Sequence, residues 1–154
     1  QLENLYAGTQ KPEVRTAVLE WGFARMGPAG EELLIKEAAS ASDPSCRIAA
    51  WSLLNKTGAI ERKADLQAGA RQFLQAWNPP ETGVVSAAGR VQARYYVELF
   101  AAIYLRSGTS EDLPFLKRMA DKPALPGADA RLLEILGRSA AAAVEMIELR
   151  ARLN

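Results

Sequence analysis

Four times along this chain an arginine opens an apolar run with helical spacing, and each run reaches a glycine. The first is Glu13-Val14-Arg15-Thr16-Ala17, running to Gly27, and the second is Ser45-Cys46-Arg47-Ile48-Ala49, running to Gly58. Gln92-Ala93-Arg94-Tyr95-Tyr96 runs to Gly108, and Asp129-Ala130-Arg131-Leu132-Leu133 reaches Gly137 after a much shorter stretch. Self-similarity at a period of roughly 30 to 50 residues marks a stacked repeat, in which each unit buries its apolar face only against its neighbours. A chain of 154 residues patterned in this way is expected to fold as one all-helical domain over residues 1–154.

The local signals fill in the elements. Pro12 suits a helix first turn, where its missing N–H costs nothing. From there Val14, Ala17, Val18, Trp21 and Ala24 recur at spacings of three and four, and Gly27-Pro28 is expected to stop the helix. Leu33, Leu34, Ala38 and Ala41 predict a second helix behind Glu31-Glu32, whose charges suit a helix N-terminus. Ser42-Asp43-Pro44 predicts the cap of a third, with Ile48, Trp51 and Leu54 inward and Gly58 at its end. Glu61 to Trp77 continues as a helix, followed by the one long non-helical connection, residues 78–89. Arg90 to Ser107 is the most apolar helix and ends at Gly108; Ser110 is expected to cap the next, with Pro114 early enough to be tolerated. Leu132 to Leu136 predict a short helix, and Ser139 begins a last one with Val144, Ile147, Leu149 and Leu153 as its apolar positions. Adjacent helices would pair antiparallel, and about four such pairs would stack.

Composition removes several kinds of chemistry. The chain holds no histidine, which takes away the commonest general base and metal ligand, and its single cysteine, Cys46, cannot build a thiolate site or an internal disulfide. Cys46 lies at an apolar helical position and reads as a buried, inert thiol. No phosphate-cradling glycine motif is present. A formal net charge of +1 gives no global field for nucleic acid or an anionic membrane. The longest apolar candidate, Tyr95 to Leu105, is interrupted by Glu98 and falls short of the roughly 20 residues that span a bilayer. Glu31-Glu32, Glu111-Asp112 and Glu145/Glu148 are carboxylate pairs at helix starts or on solvated faces, so no residue is assigned a catalytic role, and no metal or cofactor is expected. The start at Gln1, with Leu2, Leu5 and Tyr6 resembling the end of a helix, fits a processed form or, better, a piece of a longer chain.

The segment Gly30-Glu-Glu-Leu-Leu-Ile-Lys-Glu-Ala-Ala-Ser-Ala-Ser-Asp-Pro-Ser-Cys-Arg-Ile-Ala-Ala-Trp-Ser-Leu-Leu-Asn-Lys-Thr-Gly58 resembles a HEAT repeat: a helix, an Asp-Pro turn, an arginine, an alanine-rich second helix, then glycine. Lys11 to Glu20 looks like the second helix of another copy, and the Arg94 and Arg131 units match more loosely. The resemblance implies a right-handed α–α superhelix in which the turn aspartate and helix arginine, here Asp43 and Arg47, bond to neighbouring units. HEAT-like proteins are mostly scaffolds and partner-binding surfaces; a few are enzymes, among them a DNA glycosylase group and a di-iron hydroxylase whose histidine ligands this chain lacks.

The expectation is therefore a non-enzymatic module that binds a protein or peptide. A nucleic-acid-binding, glycosylase-like protein and a structural segment of a larger solenoid are the alternatives, the last with self-association through exposed repeat ends. Arg15, Arg47, Arg94 and Arg131 either satisfy carbonyls and acids between repeats or line one face as a basic ladder. Trp21, Trp51, Tyr96, Phe100 and Tyr104 read as core. Trp77 beside Asn78-Pro79-Pro80 either plugs the loop or anchors a partner. The candidate contact residues are Trp77, Asn78, Pro79, Arg47 and Arg94.

Overall fold

A computed structural model describes residues 2–9, 11–22, 25–41, 43–77 and 87–154. Every regular element among them is helical, with no strand. The contacts gather into two compact units, Gln1–Leu66 and Gln67–Asn154.

In the first unit, α1 (Leu2–Ala7), α2 (Pro12–Trp21), α3 (Pro28–Ser40), α4 (Pro44–Lys56) and the single turn α5 (Ala59–Arg62) follow one another closely. Helix α4 is the centre: it packs on both α2 and α3, and Cys46, Ile48, Ala49, Ala50, Trp51, Leu53 and Leu54 are all buried. Its start is held as the Asp-Pro turn requires. Asp43 is extended and its carboxylate accepts from the Ser45 N–H at 2.8 Å, answering one of the donors a helix N-terminus leaves without a partner. Its end is Gly58 at φ +82°, a left-handed residue that an L side chain resists.

Helix α2 departs from expectation in both length and facing. It closes at Trp21 with Gly22 as its C-cap, so Gly27-Pro28 does not stop it; Gly27, at φ +68°, and Pro28 instead open α3. Val18, Leu19 and Gly22 are buried, whereas Val14, Ala17 and Trp21 are exposed. The expected inward face was thus rotated, and Trp21, read as core, is 68% exposed. Arg15 explains the register. It points inward to polar partners on α1 and α3, and the residues three, four and seven positions on must share its face.

The second unit contains α6 from Gln67 onward (the whole helix is Ala64–Gln75), α7 (Ala87–Ser107), a 3-10 turn (Ser110–Asp112), α8 (Leu113–Asp121) and α9 (Ala130–Leu153). The expected 61–77 helix is broken at Lys63, where the backbone is extended. Of the segment 78–89, residues 78–86 lie outside the described part, and Ala87 already begins α7. Thr109, not Ser110, caps the 3-10 turn, its N–H donating to Asp112 Oδ2 at 2.8 Å. Helix α9 packs on both α7 and α8 and runs through Gly137 without a break, where two helices were expected. A Cβ at Gly137 would stand 3.3 Å from Pro123 Cγ, so this glycine serves a close approach between the Pro123 segment and the helix. No helix among the described residues is long and apolar enough to cross a membrane.

Gly127 combines two constraints. It sits at φ +81°, and a Cβ there would lie 2.5 Å from the Gly89 carbonyl oxygen of α7. Gly27 shares the first constraint alone, with open space around it. Gly27→Ala should therefore cost about 1–3 kcal/mol, the penalty of holding an L residue in a sparsely populated backbone conformation. Gly127→Ala should cost about 3 kcal/mol or more, because backbone must also move. Urea unfolding of the two variants tests the difference, and equal losses would contradict the steric account.

Candidate functional site

The arginines expected to form a ladder divide into two groups. Arg15 is half-buried, and its Nη1 donates to the carbonyls of Tyr6 (3.5 Å) and Thr9 (3.1 Å) at the end of α1. Its Nη2 pairs with Glu37 of α3 at 3.4 Å, and its guanidinium lies 4.0 Å from the Tyr6 ring centroid. The Tyr6 hydroxyl donates to the same Glu37 carboxylate. One cation thus ties α1, α2 and α3 together. Arg47 Nε donates to the Ala38 carbonyl at 3.3 Å, within the last turn of α3, where a positive charge also complements the helix dipole. Arg94 and Arg131, by contrast, are exposed on α7 and at the start of α9, without a bond to a described residue.

Arg150 does for α7 what Arg15 does for α1. Its guanidinium donates to the carbonyls of Arg106 (2.8 Å) and Gly108 (3.2 Å), although in sequence it looks like an outward charge of a terminal cap. Gly108 is glycine for the same junction: a Cβ would meet the Tyr104 carbonyl oxygen at 2.7 Å and Ile147 Cδ1 at 2.8 Å.

The acids are similarly engaged. Asp112, one of the two buried polar residues in the described core, accepts from Gln75 Nε2 and the Thr109 N–H at 2.8 Å each, and pairs with Arg71 Nε at 3.5 Å. Gln75 also donates to the Tyr104 hydroxyl at 3.0 Å. Both carboxylate oxygens are occupied, and the group braces α6 against the 3-10 turn. Glu31 receives Arg62 at 2.9 Å and Lys63 at 2.8 Å; Lys63 foremost lowers its pKa. Cys46 is buried, with the Thr16 hydroxyl 3.9 Å from its sulfur, and burial pushes its thiol pKa up. Among the described residues no three His, Cys, Asp or Glu side chains converge on a metal position.

Trp77 is half-buried, its ring 5.3 Å from Phe73 and 6.2 Å from Tyr96, at the head of a series of rings that continues through Phe100 to Tyr104 and Phe115. Asn78 and Pro79 lie outside the described residues. The tryptophan that stands in solvent is Trp21. It ends the outer stripe Val14-Ala17-Trp21 of α2, and Arg25 donates to its carbonyl while lying 6.0 Å from its ring centroid.

Burial raises the pKa values of Tyr6, Tyr96 and Tyr104 above the ordinary value of 10.0, with the Glu37 carboxylate adding to the effect at Tyr6. A phenol harder to ionise folded than unfolded favours the fold fully below pH 10, and that contribution is lost as pH rises beyond it. In a Tyr95→Phe background, phenolate absorbance should therefore grow only together with loss of helical circular dichroism. Tyr96→Phe, which removes the 2.7 Å bond to the Leu74 carbonyl, should cost about 1 kcal/mol at neutral pH. Comparison of the chain with protein-family models, with curated proteins and with solved structures returned no match.

Proposed function

We propose that the chain is a non-enzymatic protein-binding module of the HEAT-like kind, whose partner docks on the outer face of α2. The repeat reading rests on the packing of α3 on α4 across the Asp43-Pro44 turn; Asp43 caps α4 and Arg47 reaches the Ala38 carbonyl, both within this pair rather than toward a neighbouring unit as the resemblance implies. The binding reading rests on one observation: Trp21 is 68% exposed in line with Val14 and Ala17, beside Arg25. Tryptophan and arginine are the residues most enriched where binding energy concentrates. A large ring left in water also gives up the burial energy that such a side chain offers. The partner is expected to present an apolar side chain flanked by a carboxylate, which would meet the indole and Arg25 together.

Capture from lysate at moderate salt, comparing wild type with Trp21→Ala, tests this. A protein retained by the wild type should be lost or weakened by about 30-fold or more in the variant, with unfolding unchanged because Trp21 is exposed. Equal retention by both, or retention of nothing by the wild type, would refute the assignment.

A further inference from the structure

We draw no further inference here: the strongest candidate, the exposed apolar stripe of α9 through Ile135, Met146, Leu149 and Leu153, carries nothing because nothing in the structure shows what covers it.

Discussion

A chain whose regular elements are all helices has many helix ends, and every α-helix ends with four carbonyls that no N–H of its own can reach. How those acceptors are answered decides most of this structure. The end of α1 is answered by Arg15, that of α2 by Arg25, that of α3 by Arg47 and that of α7 by Arg150. The Tyr96 hydroxyl does the same for Leu74 near the end of α6. A guanidinium is well matched to these carbonyls, because it is always charged, offers several N–H groups in one plane, and complements the negative end of the helix dipole. The aliphatic stem packs on apolar neighbours while the head bonds. Because each arginine but Arg25 comes from a different helix, the bond that satisfies one end also fixes where a second helix sits.

That constraint explains which features were legible in sequence. Asp43-Pro44 and Gly58 were readable because their conformations follow from residue type alone: a side-chain acceptor at a helix start, and a left-handed backbone at a helix end. The other glycines were ambiguous. Gly27 opens a helix, Gly137 sits within one against Pro123, and Gly108 leaves room for Ile147, yet all appear as glycines at the end of an apolar run. A missing Cβ meets either a backbone need or a neighbour's need, and only the neighbour tells them apart.

The facing of α2 was misread for a related reason. Apolar periodicity counts Val14, Ala17 and Trp21 as a stripe and Arg15 as a surface charge. The structure inverts this, since Arg15 has four bonding partners inside (two carbonyls, a carboxylate and a ring) and Trp21 has none there. A half-buried charge with full partners outweighs one aromatic ring in setting this helix's rotation, because stranding the charge would cost more than leaving the ring wet. Arg150 escaped notice by the same logic: among Glu148 and Arg152 it looks like one more solvated charge, and only the end of α7 gives it a purpose.

Function, on this view, falls to whatever the carbonyl-satisfying register leaves outside. Once Arg15 turns inward, the Val14-Ala17-Trp21 face must turn outward, whether or not water is a good place for an indole. Once Arg150 is drawn to Arg106 and Gly108, Met146, Leu149 and Leu153 are set beside the core rather than in it. Each of these side chains leaves part of its apolar area in water. The same side chains that fix the helices therefore determine which apolar faces remain available to other molecules. A substitution at Arg15 or Arg150 should then act in two ways at once, as a loss of stability and as a rotation of the surface that a partner would meet.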